Sequence, residues 1–92
     1  IRKKFDKQQV EFVNIRISGE KKADYNLETY ISLAKKNTSG IVLKRVDEDE
    51  NIFTILISGV FTNYAAILEL RKEVLEVDPS VSFTYMDNIG GI

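Results

Sequence analysis

An internal repeat runs through this chain at an offset of forty residues, without a gap. Val13-Asn14-Ile15-Arg16-Ile17-Ser18-Gly19 lies over Phe53-Thr54-Ile55-Leu56-Ile57-Ser58-Gly59. The same offset places Leu27, Tyr30 and Ala34 over Ile67, Leu70 and Val74, and then Ile41, Leu43, Val46 and Asp47 over Val81, Phe83, Met86 and Asp87. A tripeptide can match by chance, but agreement of apolar phase across three separated segments requires that both copies bury the same faces.

Each copy reads as strand, helix, strand. Val13, Ile15 and Ile17 alternate with Asn14, Arg16 and Ser18, the period of two that marks a strand with one buried face. Gly19 is expected to end it. Leu27, Tyr30, Ile31 and Ala34 recur at i, i+3, i+4 and i+7 on one stripe of a helix over residues 26–36, with Asp24 or Asn26 as its cap. Asn37-Thr38-Ser39-Gly40 is a run of helix-stop and turn residues, and residues 41–46 are rich in the β-branched types that suit a second strand.

In the second copy, residues 52–58 form the strand, Gly59 its expected terminator and Thr62 or Asn63 the cap of a longer helix. Tyr64, Ile67, Leu68, Leu70, the stem of Arg71, Val74, Leu75 and Val77 cover more than one stripe, which predicts that this helix is the more deeply packed of the two. Asp78-Pro79-Ser80 ends it, because the residue before proline is pushed out of the α region. Residues 81–86 supply the last strand, and the polar residues 47–51 between the copies read as a hairpin loop.

The order β-α-β-β-α-β, with right-handed crossovers and both helices on one face, predicts an α+β ferredoxin-like sandwich with an antiparallel sheet. The first and third strands are expected at the centre, with the hairpin and the last strand supplying the edges. There Lys44, Arg45 and Thr84 would discourage unwanted pairing. Ninety-two residues suffice for one core, so residues 10–92 are expected to form one domain and residues 1–9 a leader or the end of an upstream helix or coiled coil. In that amino-terminal segment Ile1, Phe5, Gln8 and Phe12 recur at seam spacing among Arg2, Lys3, Lys4 and Lys7, a pattern equally suited to a membrane-proximal helix and to a frayed leader.

Composition narrows the chemistry. Apolar residues at 43% and charged residues at 29% describe a chain that folds by packing alone. There is no cysteine, hence no disulfide, thiolate nucleophile or cysteine zinc site, and no histidine, which removes the commonest general base near neutrality and the commonest transition-metal ligand. Neither an enzyme nor a cofactor- or metal-dependent protein is expected. Thirteen basic against fourteen acidic residues give a formal net charge of -1, unlike the strong positive field of a phosphate-tracking protein, so nucleic acid is not an expected partner. No apolar stretch reaches the length of a membrane span. The chain opens on Ile1 within a charged stretch, which raises the expectation of an excised domain with a membrane segment upstream.

Four local patterns carry competing readings. Asp47-Glu48-Asp49-Glu50 offers several carboxylates, but lacks the turn glycine and terminal bidentate acid of a calcium loop, and reads as a solvated hairpin tip. Ser18-Gly19 and Ser58-Gly59 stand where backbone amides can hold an anion, yet without the glycine density of a phosphate cradle; the plain reading is a glycine that permits a sharp strand exit. Phe53 and Phe83 would serve base stacking on an RNA-binding sheet, but Phe53 shares the phase of Ile55 and Ile57 and belongs to the core face. The loop over residues 19–24 contains no arginine and does not look like the phosphate loop of acylphosphatase, which shares the expected topology.

Ile31-Ser32-Leu33-Ala34, Ser39-Gly40-Ile41-Val42-Leu43, and the passage from Ile55-Leu56-Ile57-Ser58-Gly59 to Ile67-Leu68-Glu69-Leu70 follow one order: helix, a strand opening on glycine, a strand ending in glycine, then a helix with an apolar face. Through them residues 27–89 resemble the periplasmic domain of type IV pilus inner-membrane assembly proteins, the PilN and PilO group. It implies a non-catalytic scaffold on the extracytoplasmic side of a bacterial inner membrane, in a type IV pilus or type II secretion machine. Such a domain dimerises with itself or with a paralogous ferredoxin-like domain, contacts other assembly proteins and meets the membrane only through an upstream segment. A second resemblance, of residues 70–85 with Glu76-Val77-Asp78-Pro79, is to ACT-like regulatory domains of bacterial membrane transporters, and implies a cytoplasmic sensor of a small ligand. The two differ in the surface they need: a polar pocket at loop 19–24 for a sensor, an apolar edge or helix face for a scaffold.

Overall fold

The computed structural model describes residues 10–87, with side chains over 13–86. The elements follow in the order β1 (Val10–Glu20), α1 (Leu27–Asn37), β2 (Gly40–Glu48), β3 (Ile52–Phe61), α2 (Tyr64–Val77) and β4 (Ser82–Asp87). The four strands form one sheet in the order β2-β3-β1-β4, antiparallel at every pairing. This is an α+β architecture, compatible with a ferredoxin-like arrangement.

The repeat is written into the register. Arg16 pairs with Leu56, its own counterpart at the offset of forty. Around that pair, Ile15 faces Ile57 and Ile17 faces Ile55, so that exchanging the two copies maps each pair onto the other. The outer pairings obey the same relation at one end: Ser18 with Ser82 and Ile17 with Phe83 on one side correspond to Ser58 with Val42 and Ile57 with Leu43 on the other after the exchange. The correspondence breaks at Lys44, where a bulge sets Lys44 and Arg45 against Leu56 and shifts the rest of β2 by one residue.

Alternation then decides which residues meet the helices. Val13, Ile15 and Ile17 of β1 and Phe53, Ile55, Ile57 and Phe61 of β3 are buried on one face, together with Tyr30 and Ala34 of α1 and Ile67, Leu70 and Val74 of α2. Removing such side chains from water stabilises by about 1.5–3 kcal/mol each, which makes this face the energetic centre of the domain. Both helices begin on an asparagine cap. Asn26 accepts from the Glu28 amide at 2.9 Å and Asn63 from the Ala66 amide at 3.1 Å. The second helix stops at Val77, and Asp78, held extended by Pro79, closes it.

Two expectations require correction. Gly19 and Gly59 do not end their strands: β1 continues to Glu20 and β3 to Phe61. Both glycines lie on the buried phase, and their role is to admit a neighbour. A Cβ on Gly19 would stand 3.0 Å from Val81 Cγ1, and one on Gly59 would stand 3.2 Å from Thr38 Cγ2 and 3.3 Å from the Phe61 ring. The second correction concerns α2. It buries three residues against two for α1, but the additional apolar stripe does not go inward: Tyr64 and Leu68 are 45% and 55% exposed.

Candidate functional site

Because the helices cover only one face of the sheet, the polar residues of β1 and β3 are left on the other. Across three strands Ser18 lies in register between Thr54 and Ser82, and one step along, Arg16 lies between Leu56 and Thr84. At this end of the sheet a cleft of about 460 Å³ is lined by Arg16, Ser18, Thr54 and Ser82 together with Glu20, Lys22, Ser80 and Ile52. The volume lies within the range of small-ligand sites, although the lining is more polar than most.

One wall of the cleft is fixed by a short network. Lys22 Nζ donates to Asp78 Oδ1 at 3.2 Å and to Ser80 Oγ at 2.9 Å, while Ser80 Oγ donates to the same carboxylate oxygen at 2.8 Å. The Ser80 amide adds a further bond to Asp78 at 3.0 Å, and together the Ser80 donors and Lys22 hold the Asp78 carboxyl below its usual range. Behind this wall Tyr25 and Tyr30 pack against Phe53, with ring centroids 4.5 and 5.5 Å from it. Burial raises the Tyr25 phenol well above its usual range, reinforced by its bond to Glu48 at 2.6 Å.

The residues singled out from sequence fall as follows. Gly19, Glu20 and Lys22 of loop 19–24 line the cleft. The carboxylates of the hairpin tip are engaged separately. Asp47 is 2.8 Å from Arg45, Glu48 meets Tyr25 and Lys21, and Asp49 accepts from the amides of Asn51 and Ile52, which lowers its pKa and closes the turn. Among the described residues no group of three or more Asp, Glu, His or Cys is placed to hold a metal. Ser58 is buried beside Asn14 and donates to its side-chain oxygen, one row beyond Arg16 on the same face of the sheet, and does not line the cleft. Phe53 is buried on the helix-covered face, as its phase indicated, and Phe83 packs against the same core. Ile1, Phe5 and Gln8 lie outside the described residues, as does the side chain of Phe12. Arg16, Thr54, Ser80 and Ser82 belong to no binding motif in the sequence; the signal that points to them is an arginine on the polar phase of a strand expected at the centre of the sheet.

A second surface lies at the edge formed by β4. Its Tyr85 and Met86 are 39% and 54% exposed, on opposite faces of the strand. On α2, Tyr64, Leu68 and Leu75 share the flank opposite Glu73, and Glu73 is the residue that bonds Lys36 and Asn37 of α1. That flank therefore faces away from α1, which packs toward β2.

No family model matches this chain, and no curated protein matches it. Among solved structures it is similar to a de novo designed protein, Foldit4, with a TM-score of 0.52 and 12% identity over 82% of this chain and 93% of the designed one. At that identity the likeness speaks to the α+β fold alone. Among the described residues no helix is long and apolar enough to cross a membrane.

Proposed function

We propose that the chain is a non-catalytic interaction domain of the ferredoxin-like type, which associates with a second copy of itself or a paralogous domain through the β4 edge. The observation that carries this reading is the contrast between the two edges. On β2 a bulge and the exposed Lys44 and Arg45 protect the edge against pairing. On β4, its counterpart in the repeat, residues 82–86 include no charge and no proline, and Tyr85 and Met86 stand exposed on either side of the strand. Antiparallel pairing of β4 with its own copy gives a self-complementary contact about a two-fold axis. The resemblance over residues 27–89 supports placing such a domain in a bacterial membrane-associated assembly of the type IV pilus or type II secretion kind, on the extracytoplasmic side of the inner membrane.

The test is the mass of the purified domain by light scattering, without added small molecules. A dimer is expected, and Tyr85→Lys combined with Met86→Lys should convert it to a monomer with an unchanged far-ultraviolet spectrum. A strict monomer at high concentration would refute edge pairing. A second reading, the ligand-sensing regulatory domain, is favoured by one specific observation: Gly19, Glu20 and Lys22 line a concave polar cleft.

A further inference from the structure

Of the three charged residues that line the cleft, Arg16, Glu20 and Lys22, only Lys22 has a partner among the described residues. Asp47, beside Thr54 in the register, is held by Arg45 at 2.8 Å, and Lys22 is held by Asp78 at 3.2 Å. Arg16 and Glu20 make no hydrogen bond or ion pair among the described residues, and neither do the hydroxyls of Ser18, Thr54 and Ser82. A guanidinium with all its donors free therefore stands one row from three free hydroxyls, which occupy adjacent positions on three strands about 5 Å apart.

We infer that this cleft receives the oxyanion head of a small ligand, a phosphate monoester or a carboxylate, bound by Arg16 together with Ser18, Thr54 and Ser82. Arginine presents a planar fork that meets two oxygens of such a group at once, and charge-assisted bonds of this kind are about twice as strong as neutral ones. The hydroxyls supply donors to the remaining oxygens without adding charge. Glu20 lies four residues from Arg16 on the same phase of β1, about 13 Å along the strand. It opposes a second anionic group, so the ligand carries a single oxyanion at one end. Ile52, exposed and opposite Glu20 in the register, offers an apolar contact for the organic part. The Asp78, Lys22 and Ser80 network holds the wall in place before the ligand arrives, which limits the entropy lost on binding.

The inference rests on the ligand-binding reading of the cleft and is independent of edge pairing. The experiment is an amide chemical-shift titration of the whole chain with methyl phosphate, with acetate, and with a neutral polyol, at constant ionic strength held by chloride. Saturable shifts centred on Arg16, Ser18, Thr54 and Ser82 are expected with at least one of the two oxyanions, and the one that binds more tightly identifies the head group. Arg16→Gln should weaken that binding about tenfold or more, and Glu20→Gln should tighten it. Lack of saturation with both oxyanions, or an unaltered curve for Arg16→Gln, overturns the inference. Shifts of the same residues with the polyol alone would also overturn the oxyanion chemistry while leaving the cleft a ligand site.

Discussion

Gly19 illustrates how a residue can be read correctly as special and incorrectly as to its reason. A glycine after an alternating strand suggests an exit from the sheet, yet β1 runs past it, and what requires the missing side chain is Val81, sixty-two positions away. An added Cβ would lie 3.0 Å from Val81 Cγ1 and 3.3 Å from Val81 Cα, and the second of these is backbone that cannot rotate aside. Gly19→Ala is therefore expected to destabilise the domain by about 1–3 kcal/mol, the usual cost of overpacking a filled core. Shortening the opposing side chain removes the nearest atom, so the same substitution should cost less in a Val81→Ala background, a coupling that a double-mutant cycle in urea would detect. Equal costs in the two backgrounds would show that the glycine is needed for its backbone instead. The hydroxyls of the cleft were illegible for a related reason. Thr54 and Ser82 look like ordinary outward-facing strand residues, Ser18 stands out only for the backbone amides beside Gly19, and only the register places the three hydroxyls in one row.

At the scale of elements, periodicity announced both helices and narrowed each cap to two nearby candidates, of which Asn26 and Asn63 are the caps, because the pattern of buried positions is local and a cap acts within one turn. How one helix is tied to the other was not visible, since that depends on which flanks meet. Glu73 of α2 accepts from Lys36 Nζ and from Asn37 Nδ2, both at 2.9 Å, and Asn37 donates also to the Leu33 carbonyl at 2.9 Å, so the tie is anchored in the last turn of α1. The bond from Asn37, followed by that from Lys36, lowers the Glu73 pKa below its usual range. A depressed carboxylate contributes stability that is complete above the ordinary glutamate value of about 4.3 and is lost as the pH falls through the lower folded value. Asp49 and Asp78 are shifted in the same direction and act in the same window. Glu73→Gln should accordingly lower Tm at pH 7 and narrow the difference in Tm between pH 7 and pH 3, without abolishing it. Thermal melts at the two pH values provide the check, and an undiminished difference would show that the tie contributes nothing to acid sensitivity.

At the scale of the whole molecule, the offset of forty residues foretold that β1 and β3 lie side by side at the centre of the sheet, and they meet about the pair of Arg16 with Leu56, which makes their register symmetric. What it did not foretell is the bulge at Lys44, the one place where the two outer pairings differ, because a single inserted position leaves the apolar phase before it untouched. The symmetry has a consequence for connectivity. The start of β1 and the end of β4 are neighbours, since Val13 and Asp87 are partners in the sheet, and adjacent antiparallel strands lie only about 5 Å apart. Joining Ile92 to Ile1 leaves fourteen residues, 88–92 and 1–9, to connect Asp87 to Val10, far more chain than the gap demands. Opening the chain between Asp49 and Glu50 then gives the order β3-α2-β4-β1-α1-β2, which is again strand, helix, strand, twice over. Every buried contact survives, and one hairpin connection is exchanged for another between strands that already pair, so the entropy of closing the sheet changes little. The permutant is expected to unfold in urea in one cooperative transition, within about 1–2 kcal/mol of the parent, the difference expected from a longer connecting loop. If it were to collapse without a cooperative transition, the duplicated unit would be a resemblance between two halves that fold only in their native order, and the symmetric register would be a product of that order and not its cause.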